Sequence, residues 1–146
     1  MERLWFTGNL AEVLVERGDL SIIRMHAPAG EMPPLHVHAY EGESFYVLEG
    51  AMTLWVGDAD PVTIGPGEIA TAPPALPHTY RVGKEPAVYL VTTSRGAFAS
   101  FVRAAGDPAE GPQTPVDPER LARIAADHDI TILGPPGMLP ADVVNV

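Results

Sequence analysis

The chain has 146 residues, of which 46% are hydrophobic and 19% charged, a composition that fits one domain with a buried core and disfavours a disordered chain. Lys and Arg total 9 against 19 Asp and Glu, and the resulting formal net charge of −10 repels phosphate backbones and anionic lipid, so nucleic acid and membranes are not expected as partners. With no cysteine, disulfides, thiolate zinc sites, iron–sulfur clusters and a cysteine nucleophile are excluded, and any metal must be held by nitrogen and oxygen donors. Met1-Glu2-Arg3-Leu4-Trp5 lacks the charged and apolar regions of an export signal, and no apolar run approaches the ~20 residues that span a bilayer, so a cytoplasmic protein is expected.

Glycine (14) and proline (16) are scattered between short apolar runs, the pattern of many short strands joined by tight turns. In chain order, strands are predicted over Glu12–Glu16, Leu20–Ala27, His36–His38, Glu43–Glu49, Ala51–Val56, Val62–Ile64, Ile69–Ala72, His78–Val82 and Ala87–Thr93. Their regular spacing predicts an all-β sandwich or barrel. From Gly96 the period changes: Phe98, Phe101 and Val102 recur at helical spacing, which predicts a short helix over Ala97–Ala104. Gly106–Val116 reads as a loop. Asp117 then stands as an N-cap with Pro118 at the first helical position. Leu121, Ile124 and Ala125 give that second helix an apolar stripe, and Gly134-Pro135-Pro136-Gly137 is expected to end it. Residues 1–104 are therefore expected to form the β-domain with its flanking helix. Residues 105–146 are expected to add a loop and C-terminal helix packed on it, too short for a core of their own.

The chemistry concentrates at strand starts. His36 and His38 lie two apart in a predicted strand, so both side chains leave one face with Cα atoms roughly 6.7 Å apart, close enough for two imidazoles to meet one ion. Alone, that pair is weak evidence, and two surface or core histidines are the commoner reading. Glu43, however, opens the apolar strand Ser44-Phe45-Tyr46-Val47-Leu48, where an inward carboxylate needs a cation or hydrogen-bond partners. His78 opens a later strand after the rigid Pro73-Pro74-Ala75-Leu76-Pro77. Phe45 lies two after Glu43 and Tyr80 two after His78, so both are expected on the same inward face, as pocket wall or as ordinary core.

The stretch from Gly30 through His36, His38 and Glu43 to Gly50 resembles the first cupin motif, with its spacings intact. Gly67, Pro73, Ala75 and His78 resemble the second, with two departures: Ala75 stands where glycine is usual, and Val82 where asparagine is usual. The resemblance implies a small jelly-roll β-barrel with a short C-terminal helical appendage. It also implies one divalent transition metal (Fe, Mn, Co, Ni or Zn) held by His36, His38, Glu43 and His78. Such a nitrogen and oxygen set on an octahedral ion leaves two open positions, unlike a closed structural zinc site. Trp5-Phe6-Thr7-Gly8-Asn9-Leu10, Phe45–Gly50 and Asp117–Leu121 further resemble single-domain quercetin dioxygenase-like cupins.

That second resemblance implies a dioxygenase that cleaves a flavonol, an enolisable aromatic molecule, with dioxygen and release of carbon monoxide. Glu43 would then accept the substrate's hydroxyl proton as well as bind the metal. Because one fold and ligand set serve many chemistries, a non-oxidative isomerase or lyase and a non-catalytic small-molecule-binding cupin remain alternatives. The other conspicuous residues take plain readings. Glu41 is expected to be a solvated loop charge, His26 a satisfied structural histidine, His128 an exposed helix residue, and Trp5 and Phe6 packing or interface groups. Open sheet edges predict a homodimer.

Overall fold

The computed structural model describes residues 1–144. Strands β1 (Glu2–Phe6), β2 (Asn9–Arg17), β3 (Leu20–Ala27), β4 (Leu35–His38), β5 (Glu43–Glu49), β6 (Met52–Val56), β7 (Val62–Ile64), β8 (Ile69–Ala72), β9 (His78–Val82) and β10 (Ala87–Thr93) follow one another without a helix. Then come α1 (Ala97–Ala105), the two-residue β11 (Asp107–Pro108), α2 (Pro118–Asp127), β12 (Ile130–Gly134) and α3 (Ala141–Val144). The strands form two antiparallel sheets, ordered β11-β1-β2-β3-β10-β5-β8 and β12-β4-β9-β6-β7. The mostly-β fold expected from the turn-rich sequence is present. Where a closed barrel was expected, no ladder among the described residues joins the two sheets into a cylinder.

Period-two alternation decides what faces inward. On β3 every second residue from Ser21 to Ala27 is buried, on β10 every second residue from Ala87 to Thr93, and on β5 Glu43, Phe45 and Val47 point in while Tyr46 and Leu48 point out. Side chains from both sheets, among them Ile23, Met25, Phe45, Val47, Leu54 and Val82, merge into one core. Val82 packs into that core at 1% exposure, which explains how an apolar residue is accommodated where the motif usually carries asparagine.

The motif glycines share one backbone property. Gly30, Gly50 and Gly67 all have φ between +75° and +81°, in the left-handed region that only glycine enters without penalty. Ala75, the departure noted above, is also left-handed at φ +66°, which accounts for glycine being usual there. The Ala75 N–H donates to the His38 carbonyl at 2.8 Å, so this turn holds the end of β4 in place.

The ends of the chain depart most from expectation. The β1 strand was not foreseen; it pairs with β2 and buries Leu4 and Phe6 while the Trp5 indole N–H reaches the Gly111 carbonyl at 3.1 Å. The second helix starts as expected: the Asp117 carboxylate accepts from the Glu119 and Arg120 N–H groups at 3.1 and 3.3 Å, with Pro118 next to it. It does not run to Gly134. The helix stops at Asp127, with His128 as C-cap and Asp129 turned left-handed at φ +59°. The chain then lays β12 antiparallel against β4, with Ile130 opposite His38 and Ile132 opposite His36. Within residues 105–146, where a loop and a helix were expected, Ile130–Gly134 is thus an edge strand of the smaller sheet, beside the histidine strand. His128 is half-buried rather than exposed; its ring N–H donates to Ile124 O at 2.8 Å and it packs near Phe101.

An ion-pair cluster bridges β2 and β3 outside the core. Glu12, nearly buried on β2, takes Arg24 Nε at 2.7 Å and His26 Nε2 at 2.5 Å across to β3, with Arg3 at 3.5 Å. The hydrogen bond from Arg24 outweighs the opposing effect of burial and, with His26 adding to it, lowers the Glu12 pKa to about 2. His26 is therefore a satisfied structural histidine, as expected.

Candidate metal centre

Three elements of two sheets bring the four residues together. β4 carries His36 and His38, β9 carries His78 directly opposite His36, and β5 of the other sheet carries Glu43. Each offers a ligand atom, and all four atoms lie within 4.8 Å of one another. Ring centroids are 5.2 Å apart for His36 and His38, 4.4 Å for His36 and His78, and 5.4 Å for His38 and His78. His38, Glu43 and His78 are 2%, 5% and 1% exposed.

The polar atoms here are crowded but unpaired. Glu43 Oε2 lies 3.0 Å from His38 Nε2 and 3.2 Å from His78 Nε2, yet none of these three atoms has a partner in hydrogen-bond geometry. Leaving a buried polar group unpaired costs about 1–3 kcal/mol, and more for a charged one. Three such atoms converging on one small volume fit a shared cation, because lone pairs aimed at a common point cannot also be aimed at each other. Imidazole and carboxylate donors suit a divalent transition metal.

Groups behind the rings orient them. His36 Nδ1 sits 2.7 Å from Pro34 O; a carbonyl can only accept, so Nδ1 carries the proton and Nε2 keeps its lone pair. Burial, reinforced by the adjacent His78 and His38, lowers the His36 pKa to about 3 and keeps the ring neutral. The Leu76 carbonyl lies 3.5 Å from His78 Nδ1. His38 differs: burial presses its pKa down, but the Glu43 and Glu41 carboxylates more than reverse this and lift it to about 10. Glu43 is held well below the usual carboxylate range, since His38 and His78 outweigh its burial. Glu41 departs from expectation. It is not a solvated loop charge: it is 4% exposed and places Oε1 3.5 Å from His38 Nδ1. The loop 39–42 folds back over the strand it leaves, which only the tertiary structure reveals.

A cavity of about 50 Å³ opens on the cluster. Phe45 and Tyr80 line it, on the inward face where alternation put them, and Tyr80 OH lies 2.5 Å from Tyr89 OH in the core behind. Sequence reasoning missed the opposite wall, made by Phe6, Phe98, Phe101, Leu121, Ile130 and Ile132 from β1, both long helices and β12. The sequence signals for that wall were the helical stripes carrying Phe98, Phe101 and Leu121 and the alternating Ile130-Thr131-Ile132. Thr7, Pro33, Pro34, Leu121 and Ile132 also border a wider cleft of about 650 Å³ outside it. Among the described residues, neither lining contains a Lys or Arg.

Residues 23–93 match the Cupin domain family. The chain is 33% identical over 104 residues to quercetin 2,3-dioxygenase of Bacillus subtilis (strain 168); the match covers 71% of this chain and 31% of that protein, so the chain spans about a third of that relative's length. It superposes with a TM-score of 0.54 and 25% identity on an uncharacterized conserved protein with a double-stranded beta-helix domain from Klebsiella pneumoniae subsp. pneumoniae MGH 78578, over 60% of this chain and 77% of that one. The DMSP lyase DddQ of Ruegeria pomeroyi DSS-3 gives a TM-score of 0.53 at 25% identity, over 64% of this chain and 47% of that one. The two-sheet fold, both motifs and these likenesses agree: the chain belongs to the cupin superfamily.

Proposed function

We propose that this chain is a metal-dependent oxygenase of the flavonol-cleaving kind, with His36, His38, Glu43 and His78 as metal ligands and Glu43 also as proton acceptor. The observation that carries this reading is the lining: aromatic and aliphatic walls without a cation surround the three-histidine, one-carboxylate cluster. Such walls bind a flat aromatic molecule and offer nothing to neutralise a phosphate or carboxylate. A water needs roughly 10–15 Å³ of such space, so the cavity of about 50 Å³ admits an ion and a few small ligands, not a whole flavonol. The reacting ring edge therefore enters past Leu121 and Ile132, and the remainder of the substrate occupies the outer cleft, whose size is in the range of small-molecule sites. A divalent ion held by His36, His38, Glu43 and His78 would supply Lewis acidity toward a substrate hydroxyl, and Glu43 would be the carboxylate placed to take that hydroxyl's proton. Phe45 and Tyr80 pack against the ring and keep water out.

The test is dioxygen uptake with quercetin after loading with Fe, Mn, Co or Ni. Uptake matched to flavonol loss, and abolished by Glu43→Gln, is expected. No uptake with any flavonol at full metal occupancy would refute the oxygenase. A second reading, a non-oxidative lyase or isomerase using the same cluster, draws on the likeness to the DMSP lyase. Product formation in the absence of dioxygen would establish it.

A further inference from the structure

Glu41 is a buried acid with no evident structural purpose. It is 4% exposed, its Oε2 has no hydrogen-bond partner, and its Oε1 lies 3.5 Å from His38 Nδ1, which itself has none. The back of His36 is held by a backbone carbonyl at 2.7 Å, and a carbonyl also lies behind His78. His38 alone among the three has a carboxylate behind its outer nitrogen, Nδ1. Burying a carboxylate without full pairing is costly, so its placement against one ligand's outer nitrogen calls for a compensating charge nearby. Metal-ligating histidines commonly give their second ring proton to a carboxylate, which settles the tautomer and makes the ring a stronger donor.

We infer that Glu41 is a positioning residue: it accepts the Nδ1 proton of His38, turns Nε2 toward the ion, and adds a second negative charge beside the centre. With Glu43, that charge balances a divalent cation. This inference rests on the metal reading above and says nothing about the substrate.

The experiment compares wild-type protein with Glu41→Gln and Glu41→Asp, titrated with Co(II) and Zn(II) alone. Wild type is expected to bind one equivalent. Glu41→Gln should still bind one equivalent, roughly 10–100-fold more weakly and with a shifted Co(II) absorption spectrum, while Glu41→Asp recovers part of the loss. Equal affinity and an unchanged spectrum in Glu41→Gln would overturn the inference and leave the metal site intact. A changed number of ligands, showing Glu41 bound directly to the ion, would also overturn it. If wild type binds neither ion, the metal reading itself fails. Should Glu41→Gln not fold, proton–nitrogen spectra of the zinc-loaded wild type decide: the His38 Nδ1 proton must be protected from exchange and lie downfield of the His36 and His78 Nδ1 protons, which face carbonyls, and a His38 Nδ1 proton that exchanges freely refutes the role.

Discussion

Gly50→Ala should unfold much of this chain's stability margin, for a reason visible at one turn. Gly50 links β5, which carries Glu43, to β6, and has φ +79°. An alanine there pays roughly 1–2 kcal/mol for the left-handed conformation alone. Its Cβ would also stand 2.6 Å from Pro86 O and 2.9 Å from Ala87 Cα, both backbone atoms at the start of β10. Neither can rotate away, so the turn must shift against the neighbouring strand, at a further cost of about 1–3 kcal/mol. The total of about 2–5 kcal/mol compares with the 5–15 kcal/mol that holds a typical domain. Urea unfolding followed by tryptophan fluorescence and circular dichroism measures it, with the midpoint falling and the slope unchanged. A loss below about 1 kcal/mol would refute the claim that the motif glycine is required by backbone contact and conformation.

Other substitutions test other links. Ala75→Gly removes a left-handed alanine and should stabilise the chain by about 0.5–1 kcal/mol in the same urea experiment, with metal binding unaltered. The Glu12 pKa is depressed to about 2, so its contribution to stability is present above the unfolded value near 4.5 and is lost as pH falls toward 2. Because its partners are partly exposed, that contribution is about 1–2 kcal/mol, and Glu12→Gln should flatten this part of the pH–stability curve. Leu121→Trp narrows the passage between the inner cavity and the outer cleft; flavonol turnover should fall on the order of 100-fold while metal affinity, measured by titration, stays unchanged.

The four clustered residues were each conspicuous in the sequence because they start or line strands, and they were legible as one set because they resemble the two cupin motifs. His36 and His38 share a face by period, Glu43 heads an apolar run that makes its charge conspicuous, and His78 follows a rigid proline turn. Glu41 was not legible, since an acidic residue in a short polar loop looks solvated until the loop is seen folded over β4. The strand β1 hid in Leu4-Trp5-Phe6, where an apolar Trp5 on the outer face masks the alternation of Leu4 and Phe6. The strand β12 hid because the apolar stripe of α2 continues toward Ile130 with no glycine or proline between; the stop comes from a left-handed Asp129 instead. Missing both meant missing the part of the cavity wall that Phe6, Ile130 and Ile132 supply.

A titration of metal-free protein with Mn(II) or Ni(II), read by thermal unfolding, tests the central claim most directly. Saturation at about 100 times the dissociation constant adds about 2.7 kcal/mol of stability. At roughly 2–4 °C per kcal/mol for a chain of this size, that is a rise in Tm of about 5–11 °C. One equivalent should produce it, and His78→Ala should abolish the rise whatever its own starting Tm. No rise with any divalent transition metal, or the same rise in His78→Ala, would contradict a metal centre built from His36, His38, Glu43 and His78.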